Sequence, residues 1–342
     1  MKKVLLAVVG ILFAATSFAQ NAMVASLSHE GAVTYYYGVN AFKQAVTAAA
    51  SGDIINLSGG TFDATQTTIS AGITLRGAGI DSDNPTYLIK NTSSGDEKYY
   101  LYINIPSSDA NQFTMEGIRC QNTVVLTGTY SNPYFVKCQF VKLINEKSND
   151  AVTNIMIANC KITGDYHMGG TCSTNFVNSY VALGAFYESS TITAINCVIS
   201  REYHFEDFHR GEFTNCIFYN TYTSYNNCYP LSVDNKTTNC VGVSVSRDIF
   251  ENVQSRTNCP GTQYKAEDVF VDFTGTYSDD QTFELTSAFK TAFKGTDGLE
   301  IGLYGGLQPY NSTPSYPLIS TMNVDKQTAT DGKLGVTIEV SK

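Results

Sequence analysis

The feature that most constrains the fold is a short motif, an asparagine followed by a cysteine, that recurs through the middle of the chain. The pair occurs at positions 159–160, 196–197, 215–216 and 239–240. Asn178-Ser179, Lys137-Cys138 and Gly117-Ile118 occupy the same slot, so successive slots are separated by 20, 22, 19, 18, 19 and 24 residues. A regular period of this length is typical of a solenoid built from stacked coils.

Each repeat unit has the pattern of two short strands that meet at a bend. Ile155 and Ile157 occupy alternate positions, which indicates a half-buried strand. Asn159 then interrupts the alternation, and asparagine tolerates the left-handed backbone of a sharp bend. Cys160 and Ile162 are expected to point inward on the next strand. The pattern predicts an all-β protein, a parallel β-helix of about ten coils.

The repeated cysteines are predicted to be core thiols stacked one coil apart, because a free cysteine behaves as a small apolar residue. Adjacent coils lie about 4.8 Å apart, which is near but not ideal for a disulfide, and Cys197–Cys216 is the pair expected to bridge if any does. The chain has no Cys-x-x-Cys motif, which argues against a cysteine metal site. Four cysteines are expected to lie outside the slot, namely Cys120, Cys172, Cys228 and Cys259.

The first nineteen residues have the pattern of a secretory signal peptide. Lys2 and Lys3 precede the apolar run Val4–Ala15, which is too short to span a bilayer, and small residues follow it. We expect cleavage before Gln20 and a secreted protein, extracellular or at the cell surface, with the periplasm as the alternative. No other stretch reaches transmembrane length.

Charge and composition narrow the set of partners. Only 15% of the residues are charged and the formal net charge is −9, which argues against nucleic acid or an anionic membrane as an electrostatic partner. The surface is therefore expected to rely on Ser, Thr, Asn and Tyr. We further expect a monomer.

Two short helices are predicted near the ends of the repeats. Asn40–Ala50 has an apolar helical face, with Asn40 as the expected N-cap and Gly52 as the end. Ser287–Lys294 is expected to form a second short helix near the other end. Because an open solenoid exposes strand edges, such elements are expected to cap it.

The predicted organisation has four parts. The signal peptide, residues 1–19, precedes a β-helix domain over residues 20–306. Residues 307–317 carry three prolines and are expected to be a linker. Residues 318–342 are expected to form a C-terminal hairpin tail, and a surface or secretion-related appendage is the alternative.

Three segments resemble motifs of the pectin-lyase-like, right-handed parallel β-helix superfamily, in particular its exported bacterial members of Bacteroidetes type. Gly52–Leu57 with Gly60–Phe62 resembles the opening coil, Ile73–Gly79 the first complete turn, and Asp297–Gly306 the closing motif. The resemblance covers roughly residues 32–306 and implies a right-handed solenoid. These motifs are structural and none is catalytic, so Arg76 is assigned to the fold motif rather than to a site.

The resemblance also implies carbohydrate as the ligand class. The family is best known for polysaccharide lyases and hydrolases that act on uronate polymers. Its lyases use an Arg or Lys base, usually beside Ca²⁺, whereas its hydrolases use clustered aspartates, a Gly-His-Gly motif and an Arg-x-Lys motif. The last two motifs do not occur here, so the hydrolase pattern is absent.

One charged window stands out in this charge-poor chain, since seven of the ten residues 201–210 are Arg, His, Asp or Glu. Counting from the bends places His204 and His167 in the same position two coils apart, about 10 Å along the axis. Asp165 shares a column with Glu202 by the same count, and Tyr166, Tyr203 and Tyr222 share another.

The window supports two interpretations. In the first it borders a saccharide groove, with His204, Arg201, Tyr203 and His167 as candidate catalytic residues. Candidate substrate-binding residues are then Tyr166, Arg210 and Tyr222, and candidate Ca²⁺ ligands are Asp165, Glu202 and Glu206. In the second, which the sequence favours, the window is a solvated loop with internal ion pairs.

The sequence leaves open whether the protein is an enzyme. The favoured hypothesis is an exported, carbohydrate-associated protein that binds glycan or serves at the surface without catalysis. The alternative is a polysaccharide lyase or, with less support, a glycoside hydrolase. Convergence of Asp165, His167, Glu202 and His204 in one cleft would favour the enzyme.

Overall fold

The computed structural model describes residues 23–89, 100–145, 147–186, 190–201, 205, 208–220, 229–261, 264–273, 281–324 and 336–341. The predicted signal peptide lies outside these residues. The described chain is an all-β parallel solenoid of about 9 turns with few helices.

The strands and helices are short, as the repeat predicts. In chain order the strands are β1 (Val24–His29), β2 (Ala32–Tyr37), β3 (Ile54–Leu57), β4 (Gly60–Asp63), β5 (Thr67–Ile69), β6 (Thr74–Arg76), β7 (Thr86–Ile89), β8 (Leu101–Ile103), β9 (Thr114–Glu116), β10 (Ile118–Leu126), β11 (Thr129–Ser131), β12 (Tyr134–Val136), β13 (Gln139–Asn145), β14 (Ala151–Thr153), β15 (Ile155–Ala158), β16 (Lys161–Met168), β17 (Ser173–Val177), β18 (Tyr180–Phe186), β19 (Thr191–Ile195), β20 (Val198–Arg201), β21 (Gly211–Thr214), β22 (Ile217–Asn220), β23 (Lys236–Thr238), β24 (Val241–Val243), β25 (Ser255–Thr257), β26 (Leu318–Val324) and β27 (Val336–Ser341). The described helices are α1 (Ala41–Ala48), α2 (Ala266–Val269) and α3 (Ser287–Ala292).

Two long sheets form the walls of the solenoid. The first has the order β2-β1-β3-β6-β9-β12-β15-β17-β19-β21-β23-β25, and the second has β24-β22-β20-β18-β16-β13-β10-β7-β4, with β8 beside β10 and β5 beside β8. Both are parallel, except that β1 pairs antiparallel with β2 and with β3. A third, two-stranded sheet pairs β11 with β14, and β26 pairs antiparallel with β27.

The strand register confirms the predicted period. In the first sheet, residues aligned on neighbouring strands are separated by the same 20, 22, 19, 18, 19 and 24 positions that the sequence motif shows. The aligned side chains point inward and are buried. This column consists of Met115, Phe135, Ile157, Phe176, Ala194, Phe213 and Thr237.

All seven predicted bends have a left-handed backbone. Their φ angles are 70° at Gly117, 54° at Lys137, Asn159, Asn196 and Asn215, 44° at Asn178 and 49° at Asn239. Asparagine is favoured here because it enters this conformation more readily than most other residues with a Cβ atom. An eighth bend follows at Asn258, where φ is 50°.

The predicted stack of core thiols is also confirmed. Cys138, Cys160, Cys197, Cys216 and Cys240 are fully buried, and each follows a left-handed bend residue. The prediction for Cys259 is wrong, because Asn258 places it in the same slot.

The backbone N–H of Cys240 donates to the Cys259 Sγ at 3.3 Å, which shows that Cys259 continues the stack. The eight cysteines within the described residues are free thiols, including Cys197 and Cys216. Cys228 lies outside the described residues.

Helix α1 closes the first coil through burial rather than through an asparagine cap. Phe42 and Ala45 are fully buried in the solenoid core. Asn40 stands at the N-cap position, but its side chain makes no capping hydrogen bond, so this detail of the prediction is wrong. Burying one phenylalanine contributes about 1.5–3 kcal/mol, more than a typical cap.

The opposite end is closed by loops. Ile249 and Phe250 are buried in the interior cluster with Leu231, and the Leu231 N–H donates to the Ile249 carbonyl at 2.8 Å. The predicted helix α3 exists, and the Thr286 hydroxyl caps it by accepting from the Phe289 N–H at 3.3 Å. Helix α3 packs on the outer face of the second sheet, in a separate cluster that contains Phe289.

Candidate functional site

Half of the predicted site residues can be placed. Glu202, Tyr203, His204, Glu206 and Tyr222 lie outside the described residues, so their roles stay predictions. The structure describes the other five, which are Arg201, Arg210, Asp165, Tyr166 and His167.

Tyr166 belongs to the core of the solenoid. Its side chain is fully buried, its hydroxyl shares a hydrogen bond with the Thr174 hydroxyl at 2.5 Å, and its ring meets Phe176 edge-on at 4.9 Å. A ring in this position has no face open to a sugar, so its predicted substrate-binding role is corrected. Ile162 points inward on the same strand, and the two-residue period already indicated this side for Tyr166.

Asp165 and His167 flank Tyr166 and lie on the outer side of β16, where both are half-buried. Arg201 ends β20, which lies two strands away in the second sheet beyond β18. Within the part of the chain that is described, no group of three His, Cys, Asp or Glu side chains could hold a metal ion. Asp165 is the one described member of the predicted Ca²⁺ set.

The described part of the charged window is anchored by aromatic side chains. Phe205 and Phe208 are buried in the core, and the Arg201 guanidinium lies 5.4 Å from the centre of the Phe208 ring. The Phe208 carbonyl accepts from the Ser232 hydroxyl and from the Asn235 amide, both at 2.7 Å. These contacts resemble those of a structural loop.

A different region contains two cationic side chains that form no ion pair with a described residue. It is organised by residues 294–317, here called the strap, which run back along the row of left-handed bends. The part predicted as a linker, residues 307–317, lies within the strap and contacts the solenoid.

The bend residues hold the strap in place, coil by coil. Asn178 donates to the carbonyls of Leu303 and Gly305 at 2.9 and 2.8 Å. Further contacts join Asn239 Nδ2 to the Lys294 carbonyl (3.3 Å), Asn215 Oδ1 to the Thr296 N–H (3.0 Å), Asn159 Oδ1 to the Asn311 N–H (2.9 Å) and Lys137 Nζ to the Ser315 hydroxyl (3.0 Å). The order of these contacts shows that the strap runs from later coils towards earlier ones.

The strap ends in a groove on the first coils, which we call the Arg76 groove. Its volume is about 790 Å³, and it is lined by Ser26, Tyr35, Asn56, Arg76, Asp83 and Tyr316, among others. The Arg76 guanidinium lies 5.1 Å from the centre of the Tyr316 ring. Arg76 Nε is buried and has no hydrogen-bond partner.

A second cavity, which we call the Lys161 pocket, lies beside an earlier part of the strap. Its volume is about 700 Å³, and Tyr134, Tyr304 and Tyr310 form part of its wall. Lys161 is only 7% exposed, and its Nζ atom lies 5.8 Å from the centre of the Tyr310 ring. Burial raises the pKa of Tyr304 to about 12, so this phenol stays protonated at neutral pH.

The two cavities share one chemical property. In each, a cation is packed over a tyrosine ring that the strap supplies, and neither cation forms an ion pair with a described residue. Asp81 lines both cavities, but it pairs with Arg119 at 3.3 Å. A partly buried cation is stabilised by an anion, so the geometry suits a ligand that carries carboxylate or sulfate groups.

Sequence reasoning missed this arrangement. Arg76 was assigned to the fold motif, and Lys161 gave no signal beyond its place after a bend. Each cation is separated from the tyrosine that covers it by more than a hundred residues in the sequence. Only the path of the strap brings Tyr316 to Arg76 and Tyr310 to Lys161.

Comparisons with known proteins give no family assignment. No protein-family model matches the chain, and neither a curated protein nor a solved structure matches it. Among the described helices, none is long and apolar enough to cross a membrane.

Proposed function

We propose that this protein is an exported, carbohydrate-binding β-helix of the pectin-lyase-like kind, and that it holds an acidic glycan along the strap. The observation that carries the proposal is the pair of cations, Arg76 and Lys161, each packed on a strap tyrosine and each without an anionic partner among the described residues. A carboxylate-bearing sugar unit would complete both sites.

The neutral part of such a ligand also finds partners in the Arg76 groove. Tyr35 is exposed at the groove and can stack on a sugar ring, while Asn56 offers an amide to sugar hydroxyls. Planar guanidinium groups bind carboxylates in bidentate fashion, which gives orientation as well as affinity.

The negative net charge of the chain argues against long-range attraction of acidic glycans and favours selective binding at close range. At −9, the protein repels a polyanion at long range. Binding must therefore come from close contacts at the two cations, and a glycan with anionic groups in suitable positions is preferred over a uniformly dense polyanion.

The test is a direct binding measurement on residues 20–342, by calorimetry with oligosaccharides of galacturonate, of a sulfated sugar and of neutral glucose. We expect binding of an acidic oligosaccharide, weakened about tenfold or more in Arg76→Gln and in Lys161→Gln, which corresponds to about 1.4 kcal/mol or more. Lys236→Gln is the matched control, because Lys236 is exposed and lies outside both cavities. Equal affinity in all four proteins would refute the proposal.

The alternative, a polysaccharide lyase, predicts a chemical product. Incubation with acidic polysaccharide, with and without Ca²⁺, would then generate unsaturated uronate absorbance. Loss of that absorbance in His204→Ala or Arg201→Ala would locate the reaction at the charged window. New reducing ends without absorbance would indicate a hydrolase. If neither absorbance nor new reducing ends are produced, glycan binding without catalysis remains the proposed function.

A further inference from the structure

The stacked thiols include a run of four on consecutive coils, and its last member differs from the others. The four are Cys197, Cys216, Cys240 and Cys259, each directly after a left-handed asparagine. Parallel neighbours of this kind have Cα atoms about 4.8 Å apart, inside the range of about 4.4–6.8 Å that disulfides span. Distance alone therefore permits a bridge at every step of the run.

The steps of the run differ in the number of neighbouring strands that flank each cysteine. Strand β24 follows Cys240 and is the last strand of the second sheet, and Cys259 lies one step beyond it. Within the described residues, the segment after Cys259 pairs with β24 only through the Gly242 N–H to the Pro260 carbonyl and an isolated bridge from Val243 to Tyr264. Cys197 and Cys216, by contrast, precede strands that have a neighbour on both sides.

Access differs in the same direction. Cys259 is 5% exposed, whereas Cys197, Cys216 and Cys240 are 0% exposed. Terminal coils open more readily than interior ones, because they lose contacts on one side only. Opening of the last coil therefore exposes Cys259 to a small oxidant before the other three thiols.

We propose that Cys240 and Cys259 form a redox-active pair, which is oxidised to a disulfide that covalently links the last coil to the one before it. The oxidant is a small-molecule disulfide such as oxidised glutathione. The Cys259 thiolate attacks the disulfide, forms a mixed disulfide and releases one glutathione thiolate. Cys240 then attacks the Cys259 sulfur and releases the second thiolate.

The electrons and protons balance. The two protein thiols lose two electrons and two protons, one S–S bond forms in the protein, and the oxidant becomes two molecules of reduced glutathione. The order of attack follows the electrostatics of the pair. The neighbouring Cys240 thiol and the Cys240 N–H, which donates to the Cys259 sulfur, lower the pKa of Cys259 to about 6, whereas burial raises the pKa of Cys240.

The experiment uses the folded protein, residues 20–342, incubated with oxidised glutathione and then alkylated and digested for peptide mass mapping. We expect a cross-linked peptide that joins Cys240 to Cys259 and is two hydrogens lighter than the separate peptides. Cys138, Cys160, Cys197 and Cys216 should be alkylated only after unfolding. Cys259→Ser should abolish the cross-link, and Cys160→Ser, the matched substitution in an inner coil, should retain it.

A second measurement on the unmutated chain does not depend on any variant folding. The oxidised protein should melt at a higher temperature than the reduced protein, because the bridge closes a loop of nineteen residues in the unfolded chain. The proposal is overturned by a cross-link at Cys197–Cys216 in place of Cys240–Cys259, by a stable mixed disulfide on Cys259 that does not close, or by the absence of any cross-link.

Discussion

The charged window at residues 201–210 and the strap with its two cavities show how differently charge can be used on one solenoid. The window has the highest density of ionisable residues in the chain, but its described part is built around two buried phenylalanines, and Arg201 covers one of them. Beside the strap, Arg76 and Lys161 each lie over a strap tyrosine, and neither forms an ion pair with a described residue. The proposed binding site therefore rests on cations without a described partner rather than on a high local density of charge.

The largest effect is expected from removing the anchor of the charged window. Phe208→Ala should lower the free energy of unfolding by about 3–5 kcal/mol, because it opens a cavity in the core. Affinity for an acidic glycan should stay unchanged in the folded variant. Urea denaturation followed by circular dichroism measures the free energy of unfolding, and calorimetry measures the glycan affinity.

The control for this variant is Leu307→Ala, since Leu307 is 90% exposed. It should change stability by less than about 0.5 kcal/mol. Similar stability of the two variants would mean that Phe208 does not anchor the window, and the contrast between the two regions would fail.

A smaller effect is expected from loosening the strap. Asn178→Ala removes two hydrogen bonds to strap carbonyls and places alanine in a left-handed bend. We expect a loss of about 2–4 kcal/mol in the free energy of unfolding, together with weaker glycan binding, because the strap positions Tyr310 and Tyr316.

Asn154→Ala separates the two causes of that loss. Asn154 also has a positive φ, of 52°, but its side chain bonds to Asn132 and not to the strap. Its replacement should cost about 1–2 kcal/mol and leave glycan affinity unchanged. If both variants bind glycan equally well, the strap has no part in the site.

The strap tyrosines should have a modest effect on binding. Tyr316→Ala removes the ring beneath the Arg76 guanidinium, and a cation–π contact contributes about 0.5–2 kcal/mol. Because the ring holds the guanidinium in the orientation that the ligand meets, its loss should reduce glycan affinity by about threefold to thirtyfold, measured by calorimetry. Tyr37→Ala is the control, because Tyr37 is 66% exposed and does not line either cavity; a larger loss in the control would contradict the placement of the ligand.

The smallest effect concerns pH at the strands that form one wall of the Arg76 groove. His29 Nδ1 lies 2.8 Å from Asp53 Oδ1, and this hydrogen bond and the carboxylate charge raise the pKa of His29 above 6.5. The pair therefore stabilises the fold fully below about pH 6.5 and loses this contribution as pH rises through the higher, folded-state pKa. NMR titration of the imidazole should give a lower pKa in Asp53→Asn, and identical titrations would show that the pair does not form.

The parts of the fold that follow from local preferences were predictable. Five of the seven bends carry asparagine, which tolerates a left-handed backbone, and the alternating apolar residues around them identify Gly117 and Lys137 as the other two. Asn258-Cys259 carries the same signal and could have been found by it. Tyr166 could have been assigned to the core, because it follows the inward-pointing Ile162 by an even number of residues. Counting from a bend identifies the position along the coil, whereas an even or odd separation along a strand decides which side of the sheet a side chain lies on.

The sequence by itself determined that the chain stacks into coils of about twenty residues, with thiols and apolar side chains in the core, because these features repeat at short range. Only the tertiary structure decided where the strap lies, and hence that Tyr316 covers Arg76 and Tyr310 covers Lys161. The reason is physical: the coil period is set by neighbouring residues, whereas the strap is held by a few hydrogen bonds to bends far away in the chain, and no local pattern encodes that pairing.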